Sequence, residues 1–180
     1  MTEMISVSHI EIKRLHEDDI AELETILSQH VFSRETGEII QNEIASIKDY
    51  MWGDMDESGR IRTYLVAKDQ SGNILGCMAY AIPDPDMIKH FDTTFEESAE
   101  LLNAFVSNEV FRGGGVGRKL FQAVCAEVKS QGKKELVVNS GPRYQESWGF
   151  YDKVCDGNWG FIKNKYGQGR DAKTWIKHLA

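Results

Sequence analysis

Ile10 and Ile12 alternate with polar residues between His9 and Arg14, which predicts a short strand. Asp18 and Asp19 suit the positive end of a helix, and Ile20, Leu23, Ile26 and Leu27 give that helix an apolar stripe. Ile40, Ile44, Ile47 and Met51 recur at helical spacing and predict a second helix, followed by a charged, turn-rich loop from Gly53 to Arg60. Tyr64 to Ala67 and Ile74 to Ile82 are strand-like, with Gln70-Ser71-Gly72-Asn73 as the turn between them. Pro83 and Pro85 end the second of these strands, because proline cannot donate to a ladder.

The stretch Asp84 to Ser98 carries no clear period and is read as a connection. A strand resumes over Leu101 to Val106, and a glycine-rich loop follows. Val116, Leu120, Val124 and Val128 then line one face of a helix that stops at Gly132. Glu135 to Asn139 is a short apolar run of the buried-strand type, and Gln145 to Val154 suggests a short helix. Two further strands, near Trp159 to Lys163 and Ala172 to His178, flank a turn-rich segment from Tyr166 to Asp171. The order is β-α-α-β-β-β-α-β-α-β-β, which predicts a mixed α/β fold in a single domain over residues 1–180.

A chain of 180 residues with 41% hydrophobic residues can bury a real core. The net charge of −7 argues against a nucleic-acid partner bound by phosphate neutralisation, and it favours a cationic or amine-bearing substrate. Asp54, Asp56, Glu57, Asp84, Asp86, Glu96 and Glu97 hint the same way, although a solvated acidic surface is the commoner reading of such residues. Cys77, Cys125 and Cys155 are widely spaced and no Cys-x-x-Cys pair exists, so neither a structural zinc site nor any other metal is expected. The polar N-terminus and the lack of a long apolar run predict a cytoplasmic protein with no membrane partner.

The chemistry concentrates at Arg112-Gly113-Gly114-Gly115-Val116-Gly117-Arg118-Lys119, between a strand and a helix. Glycines let the backbone approach a bulky anion, and the first helical turn offers unpaired N–H groups at the positive dipole end. Arg112, Arg118 and Lys119 add positive charge, which is the setting a diphosphate needs. A nucleoside-triphosphate loop would require Gly-Lys-Ser/Thr, yet Lys119 lies between Arg118 and Leu120. A dinucleotide fingerprint would require glycine at 118 or 120, where arginine and leucine stand.

The remaining pattern, Arg/Gln-x-x-Gly-x-Gly/Ala, is met by Arg112, Gly115 and Gly117, and here the chain resembles the GCN5-related N-acetyltransferase (GNAT) family. The resemblance covers the second half of the chain by motif and the first half by element order. It implies an acyl-CoA N-acyltransferase fold, a mostly antiparallel central sheet flanked by helices, with acetyl-CoA as co-substrate. It further implies that Phe105, Val106 and Ser107 bind the pantetheine arm through the backbone. The pyrophosphate would lie on Arg112, Gly113, Gly114, Gly115, Val116, Gly117 and Arg118. The family places a valine five residues before the loop arginine, where this chain has Ser107 beside Val106.

Asn139 matches the family's cofactor-proximal asparagine, and Phe150-Tyr151-Asp152-Lys153-Val154 resembles its Phe-Tyr-Glu-Lys-Leu. The Gly-Phe that normally follows is Cys155-Asp156 here. Tyr151 is therefore implied as cofactor contact and as general acid to the departing thiolate, with Tyr144 as its rival. Glu100 matches the glutamate base of some family members, or else is a solvated strand-end carboxylate. Asp84, Asp86 and His90 lie in a connection able to line the acceptor site. The acceptor would be a small-molecule or peptide amine, and homodimers are frequent in the family. The alternative is a CoA-binding regulatory module of the same fold without transfer activity.

Overall fold

The computed structural model describes residues 9–110 and 114–179. In chain order the elements are β1 (Glu11–Arg14), α1 (Ile20–His30), α2 (Gln41–Met51), β2 (Thr63–Lys68), β3 (Ile74–Ala81), α3 (Pro85–Phe91) and β4 (Ser98–Val106). They continue with α4 (Val116–Ser130), β5 (Glu135–Ser140), α5 (Trp148–Val154), β6 (Gly157–Ile162) and β7 (Ala172–His178). The strands form one mixed seven-stranded sheet in the order β1-β2-β3-β4-β5-β7-β6, flanked by the helices.

Two compact units share this sheet: Met1–Tyr80 with Leu102–Val124, and Ala81–Leu101 with Cys125–Ala180. In the first, β1, β2 and β3 form an antiparallel meander, Ile12 facing Ala67 and Val66 facing Cys77. The α1 stripe foreseen from the sequence, Ile20, Leu23, Ile26 and Leu27, is fully buried, as are Ile44 and Ile47 of α2. Each helix thus lays an apolar face into the core, and Lys48 of α2 reaches back to Glu24 of α1 at 2.6 Å. Gly76 of β3 lies so close to β4 that a Cβ there would stand 2.7 Å from the Phe105 carbonyl oxygen. Only glycine fits that approach.

In the same unit Asn103 interrupts β4 with a left-handed φ of 45°, a conformation that asparagine tolerates better than most residues. Its side-chain oxygen accepts from Arg62 Nη1 and from the Tyr64 hydroxyl, both at 2.6 Å. Behind Arg62 stands Asp56, wholly enclosed, accepting from Arg60 Nε and Arg62 Nε at 3.0 Å each and from the Arg60 backbone N–H. The segment read as loop, Gly53 to Arg60, is therefore anchored by a buried charge cluster. A hydrophobic period cannot reveal such an anchor, because it is made by charged side chains that meet within a loop, Asp56 with Arg60 and Arg62.

The second unit is built on β5 and β7, which pair antiparallel with Val137 opposite Ile176, and on β6, antiparallel to β7. β4 joins it by a parallel ladder, Ser98, Ala99 and Glu100 opposite Glu135, Leu136 and Val137. Met87 and Phe91 of α3 pack on Val137 and Ile176. α3 was not legible as a helix in the sequence because it spans seven residues, too few to show a period. It forms because Asp84 caps it, taking the Met87 N–H at 2.9 Å, and Pro85 fits its first turn.

The strand predicted from Leu101 begins three residues earlier, at Ser98, which takes Glu100 into the sheet. The helix predicted over Gln145 to Val154 divides into a 3-10 turn at Pro142–Ser147 and α5. Tyr144 belongs to the turn and Tyr151 to the helix.

Candidate active site

Arg112 and Gly113 of the predicted phosphate loop lie outside the described residues. Gly115 has φ +87°, and a Cβ added there would meet nothing within 4 Å, so the requirement for glycine is conformational rather than steric. α4 starts at the next residue, with the Lys119 N–H donating to the Gly115 carbonyl at 2.9 Å. Val116 is buried with Leu120 and Val124 and anchors the first turn to the core, while Arg118 and Lys119 are exposed. That turn holds no acidic residue. Its leading N–H groups, the positive dipole end and the two cations form a donor set that fits a diphosphate.

On the strand before the loop, Phe105 is buried and its ring stacks on His30 of α1, with centroids 5.7 Å apart. His30 Nε2 donates to the Val106 carbonyl at 2.7 Å, which requires the tautomer with hydrogen on Nε2. The Ser107 N–H donates to the Leu75 carbonyl at 2.8 Å. The strand end implied to hold pantetheine is therefore fastened from both sides, by α1 and by β3. The Val106 carbonyl keeps a second lone pair beyond the one that His30 uses.

The second unit gathers the titratable groups. Glu100 is 1% exposed and stands on the last rung of the β4–β5 ladder among the described residues. It is not a solvated strand-end carboxylate. Because it pairs with Val137, its side chain shares a sheet face with Val137 and with Asn139 two residues on. Its Oε1 accepts the Asp84 backbone N–H at 2.9 Å, and Asn139 Nδ2 donates toward Oε2 at 3.4 Å. Asn139 Oδ1 in turn accepts a short hydrogen bond from the Tyr166 hydroxyl.

Lys165, next to that tyrosine, reaches Asp84 Oδ2 at 2.7 Å and Asp86 Oδ2 at 3.3 Å. Glu100 is thus encircled through Asp84, Lys165, Tyr166 and Asn139. His90, on the far turn of α3, points instead at the Trp159 carbonyl and the Thr174 hydroxyl, at 2.9 and 3.0 Å.

Tyr151 is 7% exposed, its ring 5.0 Å from Trp175 and 5.5 Å from Phe150. Trp175 is fixed by an Nε1–H bond to Asp152 Oδ1 at 2.8 Å, so the Asp152 of the resembling motif has a structural task. Burial, and then the neighbouring Cys155, push the Tyr151 phenol above its ordinary range, so it holds its proton at neutral pH. Among the described residues no group hydrogen-bonds its hydroxyl. A protonated, uncommitted phenol is suited to donating a proton.

Lys165 and Tyr166 went unrecognised in the sequence, where their segment read only as turn-rich. The signal present was Asn164 with Gly167 and Gly169, three residues able to take positive φ within one hairpin connection. All three do so, with Asn164 Oδ1 taking the Gly169 N–H at 2.8 Å and Asp171 Oδ1 the Asn164 N–H at 2.9 Å. The acidic residues grouped by sequence do not act as one surface. Asp56 is buried against two arginines, and Lys165 reaches both Asp84 and Asp86, offsetting one of their two charges.

The site thus combines a mixed seven-stranded sheet with a positive-φ glycine that opens a helix whose first turn holds no acid. The acetyltransferase (GNAT) family model matches residues 19–156, and the chain belongs to that family. Among solved structures, one assigned to the GNAT acetyltransferases from Desulfovibrio desulfuricans aligns with a TM-score of 0.70 at 17% identity, covering 96% of this chain and 100% of that one. An aminoglycoside 6′-acetyltransferase type Ii aligns at 0.67 and 16% identity, covering 94% and 97%. A variant of spermidine N-acetyltransferase from Vibrio cholerae aligns at 0.65 and 13% identity, covering 96% and 95%. At these identities the likeness is one of fold. No curated protein matches the chain in sequence. Among the described residues no helix is long and apolar enough to cross a membrane.

Proposed function

We propose that this acetyltransferase moves the acetyl group of acetyl-CoA directly to the nitrogen of an amine. The observation that carries the reading is the junction at Gly115, where a positive-φ glycine leads into a helix whose first turn has cations and no acids. Gly114, Gly115, Val116, Gly117 and Arg118 would hold the pyrophosphate there, together with Arg112 and Gly113. Phe105, Val106 and Ser107 would bind the pantetheine arm, and Asn139 is the further contact the family pattern suggests.

Bound acetyl-CoA supplies the thioester whose acyl carbon the amine attacks. Glu100, through Oε1 or Oε2, takes the proton the amine must lose. The Tyr151 hydroxyl gives a proton to the departing sulfur, which its protonated state at neutral pH permits. No covalent acyl-enzyme is needed.

Calorimetry with acetyl-CoA tests the cofactor reading, with Gly117→Glu as the control that places a carboxylate in the first turn of α4. Tight binding by wild type and none by the variant is expected; equal binding by both overturns the reading. Thiol release from acetyl-CoA across a panel of small amines, amino acids and peptides then separates an enzyme from a CoA-binding module, which would bind but remain silent.

A further inference from the structure

Tyr166 and Asn139 stand beside the buried Glu100 in a relation that concerns an amide's orientation. An asparagine amide can present either its oxygen or its NH₂ to a neighbour, and the hydrogen-bond network decides which. Here a phenolic O–H points at one side of Asn139 and a carboxylate lies on the other. The Tyr166 hydroxyl donates to the amide oxygen, and the NH₂ faces Glu100, an acceptor when ionised, with Met87 Sδ as its second acceptor at 3.5 Å. An N–H donor stabilises a carboxylate, whereas an amide oxygen in that place would stabilise the protonated acid.

We infer that Tyr166 is a positioning residue that locks the Asn139 amide with its NH₂ toward Glu100 and so keeps Glu100 in the ionised form a base requires. The catalytic part of this inference rests on the role proposed for Glu100 above; the orientational part does not. Two features hold the phenol in this place. Gly141 makes room for it, since a Cβ there would lie 2.8 Å from the Tyr166 ring. The preceding Lys165 pins the same loop to Asp84, whose backbone N–H serves the other oxygen of Glu100. The hairpin connection thus braces both carboxylate oxygens, one through Tyr166 and Asn139 and the other through Lys165 and Asp84.

The titratable groups felt at the Tyr166 hydroxyl are Glu100 of β4, Asp84 at the start of α3, Tyr144 of the 3-10 turn and Tyr151 of α5, while the neighbouring Lys165 pairs with Asp84 and Asp86. His90 faces away, toward β6 and β7. Burial around the phenol, and then the Glu100 and Asp84 carboxylates, hold the Tyr166 proton on, so it acts as a donor throughout the neutral range. Tyr166 is not among the buried core residues, so a change at the hydroxyl alone leaves the core untouched.

The experiment is a ¹³C-carboxyl NMR titration of the full chain labelled at glutamate, the Glu100 signal being assigned by its loss in Glu100→Gln. Tyr166→Phe keeps the ring and removes only the donor. It should raise the Glu100 midpoint by about one pH unit, because the amide is then free to turn its oxygen inward. Gly141→Ala, which displaces the ring without altering Tyr166, should shift the midpoint in the same direction. A Glu100 titration identical in wild type and both variants overturns the inference. Failure of the base assignment would look different: Glu100→Gln would retain full acetyl transfer while the midpoint still moved in Tyr166→Phe.

Discussion

Arg62 Nη1 donates to Asn103 Oδ1 at 2.6 Å, joining a buried guanidinium to the residue that turns β4 through a left-handed conformation. The Tyr64 hydroxyl shares the same oxygen at 2.6 Å. The kink in β4 is therefore held by side chains from the start of β2 and the residue before it as well as by its own backbone preference.

Substitutions at Asn103 separate these two contributions. Asn103→Gly removes the side-chain clamp and keeps the backbone at ease, while Asn103→Ala also places a Cβ where φ is 45°. Losing the acceptor of a buried arginine and adding strain should cost Asn103→Ala about 2–4 kcal/mol. Asn103→Gly should lose less. Urea unfolding is expected to rank wild type above glycine and glycine above alanine; alanine at or above glycine would show that the kink carries no strain.

Asp56 governs the acid limb of stability. Burial pushes its carboxyl up, but the Arg60 N–H bond and the Arg60 and Arg62 guanidinium groups outweigh that effect and hold it below the ordinary 3.8. A pKa depressed by folding means stability that is complete above the unfolded-state value of about 3.9 and lost as pH falls through the folded value. Wild-type stability from urea unfolding should therefore be level between pH 7 and 5 and fall below about pH 4. Asp56→Asn, which leaves Arg60 and Arg62 without their counter-charge, should cost about 3 kcal/mol at pH 7 and flatten that fall.

Tyr151→Phe should lower kcat about 100-fold with little change in KM for acetyl-CoA. Thermal stability should barely change, since among the described residues nothing bonds the lost hydroxyl. With the phenol held above its usual range, its loss of proton should impose no fall in kcat below about pH 10. A variant with wild-type turnover would remove Tyr151 from the reaction.

The three thiols should be spectators. Burial pushes Cys77 and Cys155 up to about 12 and Cys125 up to about 11, so the nucleophilic thiolate is scarce at neutral pH. Cys77→Ala and Cys125→Ala should both keep wild-type kcat, and no acetyl thioester should appear by mass spectrometry after exposure to acetyl-CoA. A stable acetyl adduct on either cysteine would replace direct transfer with a two-step route.

Most of the elements were legible because their signals are local. The stripe Val116, Leu120, Val124, Val128 and the run at Glu135 to Asn139 are periods that survive without tertiary information. The same is true of the glycine loop, whose chemistry lies in adjacent residues. α3 was missed because a seven-residue helix held by one aspartate cap and one proline shows no period. Glu100 stayed ambiguous between base and solvated carboxylate until the strand was seen to begin at Ser98. The acidic residues between 54 and 97 read as one character because charge is visible in sequence and its neutralisation is not.

By itself the sequence determined the order of elements, the helical and strand faces that fill the core, and the glycine loop with its flanking cations. These follow from spacing and composition along the chain. Only the tertiary structure decided which oxygen and which nitrogen meet. Glu100 and Asn139 are 39 residues apart and Arg62 and Asn103 are 41. Tyr166 lies 27 residues beyond Asn139. Hydrogen bonds act over about 3 Å, a distance the chain sets only after its strands have paired.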